Sequence, residues 1–306
     1  MPYTKHSGRS SVHDFFAELD GNTADEVPMS QREILKPPLP WPGGKSGLAT
    51  KVVEYLPQGT RYIEPFGGSA AVLLARHPVK LEVYNDRYGA VVDFYRCLRD
   101  EESMRRLKDL LELTVYSRED FVWCKETWQH TEDMVDRAAR WYYMMNYSFG
   151  GLGRNWGRAV GISGNMAGKV RNKIKKFPQI HERFKKVQIE NLDWEQCFDD
   201  YDHPDSVFYC DPPYLETSAG VYKAGELSEE RHQELLNRIF DCQGFVAISS
   251  YANRLYDSYD WDDVVEWEKY VSMQSLNTAE GSGKAGRQHA EERGYRTETL
   301  YIKEAR

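Results

Sequence analysis

The sequence predicts an α/β protein built on a parallel sheet and interrupted by a helical insertion, and three observations predict it. Two short apolar segments that end in turn chemistry, Arg61-Tyr62-Ile63-Glu64 and Leu81-Glu82-Val83-Tyr84, flank the helical stretch Ser69–Arg76. Strand, helix and strand within about 25 residues make a βαβ unit, whose two strands run parallel. Further apolar segments at Ser206–Cys210, Phe245–Ser249 and Thr297–Ile302 supply more strands. Between these groups, from Asp100 to Phe184, apolar residues recur with helical spacing, broken only by a glycine-rich stretch from Phe149 to Gly168.

Residues 1–35 are polar and acidic apart from a short amphipathic patch, Val12-His13-Asp14-Phe15-Phe16, and read as a mobile arm. Folded structure is expected from Lys36-Pro37-Pro38-Leu39-Pro40-Trp41 onward, with a helix over Leu48–Leu56. Ser69 is placed to cap the helix that follows it. With 306 residues, 41% apolar, a packed core is available and wholesale disorder is excluded. No apolar run reaches the roughly 18 residues of a membrane span. The start of the chain lacks the basic and then apolar pattern of a secretion signal. Five cysteines, Cys97, Cys124, Cys197, Cys210 and Cys242, include no Cys-x-x-Cys pair. Neither a disulfide framework nor a zinc site is expected, and a reducing cytoplasm fits.

Charge is unevenly spread. Gly151–Glu190 holds ten basic residues (Arg154, Arg158, Lys169, Arg171, Lys173, Lys175, Lys176, Arg183, Lys185, Lys186) against Glu182 and Glu190, a balance of +8 within a chain of −8. A basic insertion on an acidic body points to a polyanion partner.

Three constellations carry chemistry. Asp211-Pro212-Pro213-Tyr214 follows the strand at Ser206–Cys210 directly. A carboxylate at the C-terminal end of a parallel strand sits where open α/β sheets place their sites. Two prolines fix the backbone and remove two amide donors, leaving directed carbonyls, and the tyrosine offers a flat face. Acceptors beside a stacking platform suit a planar group with an exocyclic amine. Glu64-Pro65-Phe66-Gly67-Gly68-Ser69 makes a strand-to-helix turn, with Asp86 at the end of the next strand, placed to meet ribose hydroxyls. Gly-x-Gly-x-x-Gly is absent, so a mononucleoside cofactor is favoured over a nicotinamide dinucleotide. Trp41-Pro42-Gly43-Gly44-Lys45-Ser46 resembles a P-loop only in part, because Leu39 stands where that motif needs glycine. It remains a plausible anion-binding turn.

Together, these residues resemble the Dam-like DNA adenine-N6 methyltransferases of the D12 class. Trp41–Lys45 is similar to the family's lysine motif, Glu64–Ser69 to its Phe-x-Gly-x-Gly loop, and Asp211–Tyr214 to its catalytic Asp-Pro-Pro-Tyr. Tyr222, His232 and Leu235 resemble the tyrosine and His-x-x-Leu that follow. Asn191-Leu192-Asp193-Trp194 looks like the acidic loop facing the cofactor adenine. Ala70 departs from the glycine common at its position, and Asn146–Arg154 matches the family's recognition hairpin only loosely.

The resemblance implies a Rossmann-like methyltransferase fold with a mixed, mostly parallel sheet. Residues 36–99 and 185–306 would form the catalytic domain and 100–184 the target-recognition domain. It implies S-adenosylmethionine as methyl donor and double-stranded DNA as substrate, with an adenine flipped from the helix and no metal. Asp211, Pro212, Pro213 and Tyr214 would be catalytic. Trp41, Lys45, Glu64, Phe66, Gly67, Gly68, Ser69, Asp86 and Asp193 would hold the donor, and Asn146, Arg154, Arg158 and Tyr222 the DNA. Such enzymes serve restriction-modification systems among others. Transfer to cytosine N4 or to an RNA base, or a DNA-binding protein with a vestigial site, are the alternatives.

Overall fold

In the computed structural model, which describes residues 34–158, 165–215, 227–270 and 295–306, the predicted βαβ unit is present and parallel. Strands β1 (Arg61–Glu64) and β2 (Leu81–Asn85) pair in register from Arg61↔Leu81 to Glu64↔Tyr84. The remaining strands are β3 (Val187–Glu190), β4 (Ser206–Cys210), β5 (Phe245–Tyr251), β6 (Asp263–Tyr270) and β7 (Tyr295–Lys303). Helices are α1 (Ala49–Glu54), α2 (Ala71–Ala75), α3 (Gly89–Arg99), α4 (Glu101–Leu113), α5 (Arg118–Thr127), α6 (Met134–Tyr147), α7 (Met166–Ile174), α8 (Phe177–Phe184), α9 (Trp194–Tyr201), α10 (Glu229–Asp241) and α11 (Arg254–Asp257). The patch at 12–16 lies outside the described residues, and no described helix is long and apolar enough to cross a membrane.

The described strands form one sheet of order β3-β2-β1-β4-β5-β7-β6. β1 to β5 run parallel, and β7 lies antiparallel between β5 and β6. Strand order therefore reverses between β1 and β4, the switch point at which open α/β sheets form a crevice at their carboxyl ends. Because β7 is antiparallel, its early residues meet that same edge, and Glu298 pairs with Tyr251 at the end of β5.

One face of the sheet carries the helices from α3 to α8. Phe94 stacks on Tyr142 with ring centres 5.0 Å apart, and Tyr95 on Phe184 at 4.6 Å. These rings share a single hydrophobic core with Tyr62 and Tyr84 of β1 and β2. The insertion is thus packed onto the sheet through common apolar surface, which is what aromatic-rich helices of moderate length require for stability. A buried fork fastens it further: Arg183 of α8 donates to both carboxylate oxygens of Glu82 at 2.5 and 2.6 Å. On the opposite face, Phe198 of α9 stacks on Phe208 of β4 at 4.5 Å within a second core that includes Leu235, Leu236 and Ile239 of α10.

Two expectations need correction. Strands β3 and β6 had no counterpart in the sequence reading, the first being four residues beside a basic run and the second a charged strand, largely exposed where its side chains are described, at the sheet's edge. Ser69 does not cap α2. The cap position is Ala70, held at φ 56° and ψ 33° with no side-chain hydrogen bond, because the turn bends through left-handed geometry at both Gly68 and Ala70.

Candidate active site

The carboxyl edge of β1, β2, β3 and β4 opens into a cleft of about 1040 Å³, its mouth included. Its walls contain every residue that the sequence assigned to a donor: Trp41, Lys45, Glu64, Phe66, Gly67, Gly68, Ser69, Asp86 and Asp193. Asp211 and Pro213 close one end. Leu192 and Trp194 of the expected acidic loop also line it, as do Tyr209, Arg87 and Arg231, which were not foreseen as cleft residues.

The glycine loop is shaped by close packing. A Cβ at Gly67 would lie 2.3 Å from the Tyr84 ring, and one at Gly68, whose φ is +48°, would lie 2.5 Å from Trp41 Nε1. Asp86 fastens this loop: its Oδ2 accepts the Gly68 amide at 2.8 Å and its Oδ1 accepts the Tyr88 amide at 2.7 Å. Burial pushes the Asp86 carboxyl up to about 6, with those two amides opposing the shift. The loop from Asn191 to Asp193 is braced by Asn85, which donates to the carbonyls of Pro65 and Leu192 and accepts the Leu192 amide at 2.8 Å. Asp193 meets Arg231 at 3.4 Å and Arg87 at 3.6 Å.

Glu64, at the end of β1, is 2% exposed and accepts a hydrogen bond from the Tyr62 hydroxyl at 2.7 Å. Burial raises its carboxyl to about 8, outweighing the hydrogen bond, and the charge on Asp211 adds to the rise. The cleft therefore biases Glu64 toward its protonated form.

The tightest cluster surrounds Lys45, which is 3% exposed. Its ammonium donates to Asp211 Oδ1 at 2.6 Å and to the Tyr214 hydroxyl at 2.6 Å, and it stands 3.0 Å from Glu298 Oε1. Tyr214 in turn donates to Glu298 through a short hydrogen bond. Burial works against the ammonium, but Asp211 and Glu298 hold its pKa well above the usual lysine value. Burial, Asp211 and Glu298 likewise raise the Tyr214 phenol, so it remains a hydroxyl. The cluster thus orients Asp211 at the mouth of the switch point with a fixed cation behind it, an arrangement that favours negative charge and hydrogen-bond acceptance at that end of the cleft.

Several expectations change here. Lys45 belongs to the charge cluster at Asp211, besides lining the cleft. Tyr214 is buried, with the Lys45 ammonium at its hydroxyl end and its ring set edge-on to Tyr251, so its face is not an open platform. The carbonyls of the Pro-Pro turn are not all uncommitted, because Pro213 O lies 2.9 Å from His232 Nε2. Glu298 escaped notice because it stands alone in a strand, far from any motif. Its one sequence signal is a charged residue among the apolar positions of Thr297–Ile302.

The basic insertion presents a different surface. Arg154 and Arg158 are exposed and, with Arg118, Lys125, Asn155 and Trp156, line an open groove. A hairpin-like closure forms it, with the Phe149 amide bonded to Asn155 O at 2.7 Å and the Gly157 amide to Tyr147 O at 2.8 Å. Asn146 does not reach this surface. It is 4% exposed, donates to Tyr142 O and accepts from Lys173 at 2.9 Å, so its amide is spent inside the helical layer. Tyr222 lies outside the described residues.

Comparison with known proteins agrees with this arrangement. The chain is 26% identical over 241 residues to the Type II methyltransferase M.CviBI of Paramecium bursaria Chlorella virus NC1A, covering 74% of this chain and 88% of that protein. It is 27% identical over 192 residues to the DNA adenine methylase of Escherichia coli (strain K12), covering 59% of this chain and 66% of that enzyme. It is also 27% identical over 228 residues to the DNA N-6-adenine-methyltransferase of Escherichia phage P1, covering 69% of this chain and 28% of that protein. The match to the family of D12 class N6 adenine-specific DNA methyltransferases runs over residues 41–273, taking in the lysine turn, the glycine loop and the Asp-Pro-Pro-Tyr turn, and the chain belongs to that family.

Proposed function

We propose that this chain transfers the methyl group of S-adenosylmethionine to N6 of an adenine flipped out of double-stranded DNA. The observation that carries this reading is Asp211: it follows β4 at the switch point, lines the donor cleft and is held from behind by Lys45.

The cleft suits such a donor. Four carboxyl groups line it: Asp211 and Asp193 are paired with Lys45, Arg231 and Arg87, and a cationic donor would draw Glu64 and Asp86 into their charged forms, while Phe66, Leu192 and Trp194 offer apolar walls for a purine. Glu64 and Asp86 would hold the amine and the ribose hydroxyls, and Asp193 the adenine amino group. When bound, the donor supplies a methyl group on sulfur that can be displaced directly.

Adenine N6 is a weak nucleophile because its lone pair is delocalised into the ring. Asp211 and the Pro212 carbonyl would each accept one N6 hydrogen bond, drawing the lone pair out of conjugation and aligning it so that the N–C bond would form as the methyl's bond to sulfur breaks, the sulfur leaving as a neutral thioether and the surplus N6 proton passing to water. Lys45 keeps the Asp211 carboxylate oriented during this step. A base inside a duplex cannot reach the cleft, so it must be extruded at a cost of a few kcal/mol. Contacts from Arg154 and Arg158 to DNA would offset part of that cost. The five cysteines, all buried and unpaired, suit a reducing cytoplasm, where DNA is met.

Incubation of duplex DNA with tritiated donor, followed by nucleoside mass spectrometry, tests the reading. N6-methyladenine is expected from the wild type and none from Asp211→Ala. Methylcytosine as the product, or undiminished transfer by the variant, overturns it.

A further inference from the structure

The Asp211–Tyr214 turn has an unusual weakness. Pro212 and Pro213 have no N–H, so two successive residues can accept but not donate hydrogen bonds, and the middle of the turn has no amide of its own to tie it down. A turn that must aim a carboxylate and a carbonyl needs an anchor from elsewhere in the fold.

Lys45 and Glu298 hold the side chains at its two ends, and the middle is met from α10. His232 is completely buried, with Nε2 2.9 Å from Pro213 O and Nδ1 2.9 Å from the Tyr256 hydroxyl. A carbonyl oxygen only accepts, so the ring must carry its proton on Nε2. The neutral ring then leaves Nδ1 as the acceptor for the tyrosine O–H. Burial keeps the imidazole neutral, lowering it to about 4. Tyr256 is itself completely buried, and its amide bonds to Asn253 Oδ1 at 3.1 Å at the start of α11. The preceding residue on α10, Arg231, lines the donor cleft and pairs with Asp193. One rigid helix, capped by Ser228, therefore holds the cleft wall and the turn together.

We propose that His232 is the positioning residue of the catalytic turn, its Nε2–H holding the Pro213 carbonyl while Tyr256 fixes the tautomer. The proposal rests on the methyl-transfer reading given above. His232 touches no reacting atom. It sets the direction of Asp211 and Pro212 by immobilising the residue that follows them. Glutamine can extend an amide to the Nε2 position and reach Pro213, whereas asparagine reaches only the Nδ1 position and Tyr256.

Single-turnover methylation of duplex DNA by the full chain separates these cases. His232→Gln is expected to stay within about 10-fold of wild type and His232→Asn to fall about 100-fold, the scale of a 1 Å misplacement, with donor Kd and DNA KM nearly unchanged. Equal rates for the two variants, or a loss confined to KM, overturn the proposal. Long-range proton–nitrogen correlation spectra of the wild type give a test free of any variant. They should show His232 as the Nε2–H tautomer, and the Nδ1–H tautomer overturns the assignment. A wild type that methylates no adenine fails the functional reading instead, which the tautomer measurement does not depend on.

Discussion

Buried Lys45 stands between buried Glu298 and partly exposed Asp211, and removing its charge should show how much of the fold is invested there. At 2.6 Å from Asp211 and 3.0 Å from Glu298, the pairs gain roughly 6.4 and 5.5 kcal/mol of Coulomb energy at an effective dielectric of about 20, before desolvation is subtracted. Breaking such a buried pair from one side costs about 3–5 kcal/mol, since the partner charges are left uncompensated. Lys45→Met is therefore expected to lower stability by about that amount. Glu298→Gln should cost only about 1–2 kcal/mol, because Lys45 keeps Asp211 and the new amide oxygen still accepts. In the double variant no cation is missing opposite Glu298, so the combined loss should fall short of the sum by about 2 kcal/mol. Urea midpoints of the four proteins, compared at constant m, supply the cycle. Additivity within about 0.5 kcal/mol would refute a direct Lys45–Glu298 interaction.

Other perturbations test the remaining assignments. Glu64 has its carboxyl raised to about 8 from 4.5, so the stability it contributes is fully present below about 4.5 and is lost as pH rises through about 8. Glu64→Gln should gain on the wild type over that window in urea titrations. A donor ammonium at Glu64 would favour the carboxylate, so calorimetry at pH 7 in buffers of different ionisation enthalpy should show proton release by the wild type and none by Glu64→Gln. Absence of release removes Glu64 from the amine site. Gly67→Ala forces a methyl against the Tyr84 ring and should destabilise by about 1–3 kcal/mol, read as a lower unfolding midpoint. Arg154→Ala should weaken DNA binding and reduce the salt slope by about 1 if the side chain meets a phosphate. Unchanged affinity would take Arg154 out of the interface.

The parallel sheet was legible because β1, β2, β4 and β5 are apolar runs ended by turn residues, the pattern of strands buried on both faces. β6 was hidden because it lies at an edge, where Asp263, Glu266 and Glu268 are exposed and only Val265 and Trp267 alternate inward against the core. The donor cleft was legible through local turn chemistry, with Glu64, Gly67, Gly68, Asp86 and Asp211 each at a strand end. What tertiary contact alone decides was not. Asn146 sits near the end of its helix, and only the packing of α7 against α6 shows that it faces Lys173. Glu298 acquires meaning from an antiparallel strand that delivers it to an edge built by parallel ones. Ala70 occupies left-handed backbone that glycine adopts without strain, which gives the departure noted in the glycine loop a structural meaning.

The last described strand in chain order, β7, fills an inner position, and β6 joins the sheet only through it. Without β7, β5 would have an open flank and the lysine behind Asp211 would lack the counter-charge of Glu298. The glycine loop, the helical layer and the Asp-Pro-Pro-Tyr turn without β7 would thus still leave the charge cluster at Asp211 incomplete.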